Sequence, residues 1–228
     1  MNIETPCLQD AQLAFIGRII AGVSHEFKNH LSVTKELTGL LDDLISLDQT
    51  FPGQDRFAKI SAGIDERVKA AAVMASHLGR FAHRMDSPLA SFNVNEVVGE
   101  IVFLMSRFAR LKNVALELEP ATELPSLHSN PSLLQFVVFS LAMPMLEHLA
   151  KQSVVKISTG RTGDRVQLGL QFEKIREEVP AVPVPNISPE VLRELRAEFS
   201  FVQPDRTSAR AVLLLSPIPP EQGDSTFF

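Results

Sequence analysis

At 228 residues, with a formal net charge of −5 and 45% hydrophobic residues, the chain has the makeup of a soluble globular protein of one large domain or two small ones. Without a basic cluster, that acidic balance excludes nucleic acid as a partner, and a single cysteine, Cys7, excludes a disulfide framework or a cysteine-based zinc site. No apolar run approaches the roughly 18 residues of a membrane span, and Met1-Asn2-Ile3-Glu4 lacks the regions of a secretory signal, so a cytoplasmic protein with no membrane partner is expected.

Residues from about Asp10 to Leu47 contain no proline and read as one long amphipathic helix. At about 100° per residue, Leu13, Ile16, Ile20, Val23, Phe27, Leu31, Leu37, Leu41 and Ile45 lie within roughly 60° of the direction of Ile16. His25 lies about 180° from Ile16, on the exposed back of the same helix. Asp48 to Gly53 reads as a turn. A second helix is predicted from Gln54 to Met85, with Phe57, Ile60, Ile64, Val68, Ala71, Leu78 and Phe81 recurring at helical spacing. A hairpin of two such helices cannot bury both apolar stripes alone, which predicts a homodimer closing into a four-helix bundle.

Asp86-Ser87-Pro88 stops the second helix and divides the chain into expected domains 1–87 and 88–228. Beyond it, Val94 to Lys112 reads as an amphipathic helix capped by Asn93 or Asn95. Ala115 to Glu119 alternates as a strand, and Pro131 to Leu149 is an apolar helix. Val154–Thr159 and Val166–Phe172 suit a hairpin around Thr162-Gly163-Asp164. Four prolines (Pro180, Pro183, Pro185, Pro189) lead into a helix over Pro189–Phe199, and Ala209–Leu215 is a last strand before a loose tail. The order predicts an α/β sandwich, one helical layer on one mixed sheet, and an α+β chain as a whole.

The run Ala21-Gly22-Val23-Ser24-His25-Glu26-Phe27-Lys28-Asn29-His30-Leu31 resembles the H-box of two-component sensor histidine kinases, whose pattern is Ala-Gly-x-x-His-Glu-x-x-Asn/Thr-x-Leu. Ala21, Gly22, His25, Glu26, Asn29 and Leu31 match, and His30 stands where proline is frequent. His77-Leu78-Gly79-Arg80-Phe81-Ala82-His83-Arg84 and Phe92-Asn93-Val94-Asn95-Glu96-Val97-Val98 resemble the end of that family's second bundle helix and the start of its ATP-binding domain. The resemblance implies that His25 is a phosphoacceptor and that the second half has the kinase ATP-domain fold.

That second half departs from the family where nucleotide is held. The N-box, Leu-x-Gln-x-x-x-x-Asn-Leu-x-x-Asn-Ala, keeps its apolar frame in Leu133 to Met145, but Ser140 and Pro144 replace the two asparagines. Pro144 has no side-chain oxygen for a metal and removes a helix hydrogen bond. Phe172-Glu173-Lys174-Ile175 stands in place of Asp-x-Gly-x-Gly, and no glycine-rich lid follows. A degenerate ATP-binding-like domain that binds no cofactor and no metal is expected.

The chemistry at His25 follows from imidazole, which is substantially neutral at cytosolic pH. One ring nitrogen can attack phosphorus while Glu26 accepts a hydrogen bond from the other N–H. Asn29, one turn on, either orients a water against a phosphoaspartate or is a plain surface residue; Lys28 flanks the same face. His25 and His30 are five apart, about 140° around the helix, and do not make a zinc pair. His77, His83, His128 and His148 show no ligand spacing either.

The first helix opens near the start, so no sensor domain is expected ahead of it. A phosphorylatable histidine without a sensor or a working ATP site predicts a histidine phosphotransferase. Its expected partner is a response-regulator receiver domain, standing alone or on a hybrid histidine kinase, with Mg²⁺ supplied by that receiver. The rivals are a phosphatase of a phosphorylated response regulator, working through Asn29 and Glu26, a non-catalytic pseudokinase scaffold that binds a receiver or kinase, and, last, an active kinase with a divergent site.

Overall fold

A computed structural model describes residues 8–47, 54–176, 182 and 184–217. The turn expected at Asp48–Gly53, Pro180 and Pro183 of the proline segment, and the tail beyond Pro217 lie outside the described residues. The chain divides into two units, Met1–Arg80 and Phe81–Phe228.

In the first unit, α1 (Leu8–Leu47) and α2 (Gln54–His83) form a helical hairpin. Gly63 of α2 lies so close to α1 that a Cβ there would come 3.2 Å from a methyl of Leu37. The apolar stripe of α1 is split along its length. Phe15, Ile19 and Val23 are buried, whereas Leu13, Ile20 and Leu31 are 61%, 48% and 57% exposed. At about 100° per residue these two sets occupy opposite flanks of the stripe. The same division runs along α2, where Ile60 and Met74 are buried but Phe57 and Val68 are open to solvent.

The second unit begins with the last turn of α2 and continues through β1 (Ala90–Phe92), α3 (Val94–Leu111), β2 (Val114–Glu119), β3 (Leu127–Ser129) and α4 (Pro131–Leu146). It ends with β4 (Ser153–Thr162), β5 (Arg165–Glu173), α5 (Pro189–Leu195), β6 (Ala197–Asp205) and β7 (Ser208–Leu215). Five strands form a mixed sheet in the order β2-β4-β5-β7-β6, in which only β2 and β4 are parallel. The architecture is α+β, a helical hairpin followed by an α/β sandwich.

Period-2 burial builds the core of that sandwich. Val155 and Ile157 of β4, Leu168 and Leu170 of β5, and Ala211, Leu213 and Leu215 of β7 are buried. Above them, α4 is apolar nearly all round, as a helix buried on most sides must be. α3 packs on α4 and β2, with Phe108 edge-on to Phe139 at 6.3 Å between ring centroids. The starts of α3, α4 and α5 are capped: the Asn93 side chain accepts from Asn95 N, Asn130 from Leu133 N and Ser188 from Val191 N.

Several boundaries differ from expectation. α2 ends at His83, two residues short, and α4 ends at Leu146 instead of Leu149. Pro144 is accommodated inside α4 near its end, where few hydrogen bonds remain to be lost. α5 stops at Leu195 because Arg196 turns left-handed (φ 51°), and Ala197–Asp205, whose start had been assigned to that helix, is a strand. The short antiparallel pair β1–β3 was not anticipated. Three more left-handed residues, Asn113, Gln152 and Lys174, gather at one end of the sheet, where they turn the chain into or out of β2, β4 and β5.

The sheet has two free edges. On β2, Glu117 and Glu119 are exposed. On β6, Pro204 and a register shift between Val202 and Asp205 interrupt the ladder.

Candidate functional site

Midway along α1, His25 stands exposed, while Gly22 and Val23 just before it are buried. The helix rises about 1.5 Å per residue, so Asn29 follows His25 by about 6 Å and lies roughly 40° around from it. Asn29, Lys28 and Ser24 are exposed as well. The neighbours one turn toward the N-terminus, Ala21 and Gly22, have short side chains, which leaves the imidazole open to a large partner. Glu26 lies about 100° from His25, toward the flank that carries Phe15 and Ile19, and is half-buried. The fold thus brings His25 and Asn29 onto one face and turns Glu26 to its side. His30 is half-buried, and its carbonyl accepts a 2.8 Å hydrogen bond from the Thr34 hydroxyl. Among the described residues no cluster of three His, Cys, Asp or Glu could hold a metal ion, and no helix is long and apolar enough to cross a membrane.

In the second unit, Ser140 is half-buried on α4 and Pro144 is exposed. The Pro144 side chain offers no oxygen to a metal, and Ser140 offers a hydroxyl in place of an amide. The segment after β5 is tied down by its own backbone. Leu149 and Ile175 form an antiparallel bridge, Ala150 N donates to Lys174 O at 2.9 Å, and Arg176 N donates to His148 O at 3.0 Å. The Arg176 guanidinium also donates to Glu147 O at the end of α4. Phe172 and Ile175 are buried, and the sequence has no glycine between Gly169 and Gly223. Backbone hydrogen bonds and the Arg176 side chain thus tie the segment after β5 to the end of α4.

A third group of residues was not anticipated. Glu100 is buried on α3, its side chain only 4% exposed, among Val97, Ile101 and Leu104. Arg84, just past α2, grips it with both forks: Nε to Oε2 at 3.1 Å and Nη2 to Oε1 at 2.9 Å. Gln135 of α4 donates its Nε2 to Glu100 Oε2 at 3.0 Å and to Val97 O at 3.3 Å, while its own Oε1 has no partner. The hydrogen bond to Glu100 raises the Arg84 pKa above its already high ordinary value. The signal in the sequence was a lone carboxylate on the apolar face of a helix.

No known family's sequence profile matches this chain, and neither does any curated protein. Solved structures do. The nucleotide-free catalytic domain of histidine kinase ThkA is 15% identical with a TM-score of 0.48, covering 59% of this chain and 100% of that one. Histidine kinase AdeS of Acinetobacter baumannii is 12% identical with a TM-score of 0.44, covering 84% of this chain and 97% of that one. ThkA in complex with response regulator protein TrrA is 14% identical with a TM-score of 0.45; the match covers 91% of this chain and 64% of that one. This chain is therefore similar in structure, at 15% identity or less, to histidine kinases.

Proposed function

We propose that this is a two-component signalling protein acting as a histidine phosphotransferase: His25 exchanges a phosphoryl group with the aspartate of a receiver domain, without ATP. The observation that carries the proposal is the station of His25, exposed on a long rigid helix with Glu26 and Asn29 in the spacing of an H-box. In the forward direction, a neutral imidazole nitrogen attacks phosphorus in line as the P–O bond to the aspartate breaks. The carboxylate leaves with that electron pair. The ring N–H proton then passes to Glu26 or water, leaving a phosphoramidate with a neutral ring and an anionic phosphoryl group. The reverse direction restores the aspartyl phosphate. Mg²⁺ for both steps is assigned to the receiver.

Two features support transfer without nucleotide: Pro144 offers no side-chain oxygen to a metal, and the segment after β5 is bonded to the end of α4. The exposed flank formed by Leu13, Ile20 and Leu31 supports a homodimer, since a second hairpin would cover it. One observation favours a second activity: Asn29 shares the face of His25, where a side-chain amide can orient water against a phosphoaspartate, giving a receiver phosphatase.

Incubation with a radiolabelled, phosphorylated receiver separates the possibilities. Transfer predicts label on the parent chain and none on His25→Ala, with the fold intact because the side chain is exposed. Glu26→Gln should slow transfer on the order of 10²-fold, a typical general acid–base contribution. Free phosphate released equally by the parent and by His25→Ala would replace the transferase with the phosphatase, and Asn29→Ala should then abolish release. A complex that forms without any change in receiver phosphate would leave a scaffold.

A further inference from the structure

We propose that Lys28 is the cation by which this protein recognises its receiver: its ammonium group pairs with the oxygen anions around the receiver's phosphorylated aspartate and sets how fast the two proteins meet. The inference rests on the reading of His25 given above and adds to it a residue that selects the partner.

Three residues past His25, Lys28 stands about 4.5 Å further along α1 and roughly 60° around it. Asn29 and Glu26 lie around the helix in the other sense, at about 40° and 100°. The imidazole is thus flanked by an amide and a carboxylate on one side and by an ammonium on the other. Lys28 is exposed, as are Ser24, Asn29 and Ser32 around it.

Nothing within the chain uses this charge. The positions one turn from Lys28 on either side are Ser24, His25, Leu31 and Ser32, so no carboxylate stands at helical pairing distance. Among the described residues it has no ion-pair partner. Other lysines do: Lys69 meets Asp65 and Lys112 meets Glu147, each at 2.7 Å. From Ala21 to Ser32 the only charged side chains besides the histidines are Glu26 and Lys28, and Glu26 is half-buried. The open surface beside His25 therefore presents one positive charge, in a chain whose net charge is −5.

The chemistry of the partner site calls for that charge. A phosphoryl group is anionic, and Mg²⁺ beside it is held by hard oxygen ligands. For phosphorus to come in line with the His25 nitrogen, these anions must approach α1 next to the Glu26 carboxylate, which repels them. Lys28 offsets that repulsion one turn from the reacting nitrogen. Salt screens exposed charges beyond about 8 Å under physiological conditions, so Lys35, also exposed but about 15 Å along the helix from His25, is too far away to substitute for it. A charge on the rim of an interface acts chiefly on the association rate and its salt dependence.

Stopped-flow binding of a phosphorylated, Mg²⁺-loaded receiver to the full chain, at low and high salt, tests this. Lys28→Gln should lower the association rate constant about threefold at low salt, the loss of one exposed charge pair, and the difference should vanish at high salt. Lys28→Arg should restore the parent rate, Lys35→Gln should match the parent, and the transfer rate at saturating receiver should be unchanged in all three. Equal association by Lys28→Gln and parent at low salt would overturn the proposal. So would a defect confined to the saturated rate, which would place the ammonium on the phosphoryl group after transfer, or a weaker homodimer in sedimentation, which would make Lys28 a contact between copies. The binding readout stands apart from transfer: a receiver that binds with this salt dependence and exchanges no label would sink the transferase reading and leave the role of Lys28 intact. A receiver that neither binds nor exchanges label overturns both.

Discussion

Replacing Leu13, Ile20 and Leu31 together by serine should dissociate the proposed homodimer. These side chains are 61%, 48% and 57% exposed in a single chain, so roughly half of the gain from complete burial is left for a partner. Full burial of an aliphatic side chain is worth about 1.5–3 kcal/mol, which makes the remaining share about 1 kcal/mol at each position. Each residue occurs twice in a dimer, so the triple change removes about 6 kcal/mol of apolar burial. At about 1.4 kcal/mol per decade, that weakens association by about four orders of magnitude. Little of the effect should fall on the hairpin itself, because Phe15, Ile19 and Val23 on the other flank still pack. Sedimentation equilibrium of parent and variant, with helicity followed by circular dichroism, measures both quantities. A parent that stays monomeric at tens of micromolar would refute the reasoning, as would a helical triple variant that dimerises like the parent.

Isothermal titration with ATP and Mg²⁺ should give no heat of binding, since Pro144 offers no side-chain oxygen to the metal; micromolar affinity would overturn this. Ile19→Ala, at a fully buried position of α1, should cost about 2–5 kcal/mol, read as a lowered denaturation midpoint. Asp205 accepts hydrogen bonds from Thr207 N and from the Thr207 and Ser208 hydroxyls, and the Thr207 backbone bond is the largest of the causes that lower its pKa. A depressed carboxylate contributes stability above its unfolded value and loses it as pH falls through the folded value. The β6–β7 turn should therefore loosen only in acid, and an NMR titration of Asp205 should have its midpoint below the ordinary carboxylate range.

What could be read from the sequence was what local pattern dictates. The 3.6-residue period marks α1, α2 and α3, and alternation with Gly163 between the arms marks β4 and β5. Gly163 takes φ 61° in that two-residue turn, where a side chain would be strained. Ala197–Asp205 was misjudged at its start because Pro189 and Glu190 open a helix that the left-handed Arg196 ends one turn earlier than the apolar residues suggest. β1 and β3 are three residues each and find one another across 37 positions, as in Ser91 with His128; nothing within either segment announces this. At the candidate site, His25 and Asn29 were legible from angle alone. That Glu26 is half-buried, and that only one flank of the stripe is covered in the hairpin, depends on how α2 lies against α1. Glu100 was not singled out, and its partners come from other elements.

The two sheet edges bear on how this protein behaves when concentrated. An open strand is a template on which other chains can stack, and growth of that kind competes with any intended assembly. Glu117 and Glu119 place like charges along one edge, and Pro204 with the displaced register at Val202 spoils the ladder on the other. Unlimited edge-to-edge growth is thereby discouraged, while the exposed helical flank of Leu13, Ile20 and Leu31 is a sticky surface that a single second hairpin can saturate. Crowding should accordingly drive the chain toward a closed pair and away from fibres.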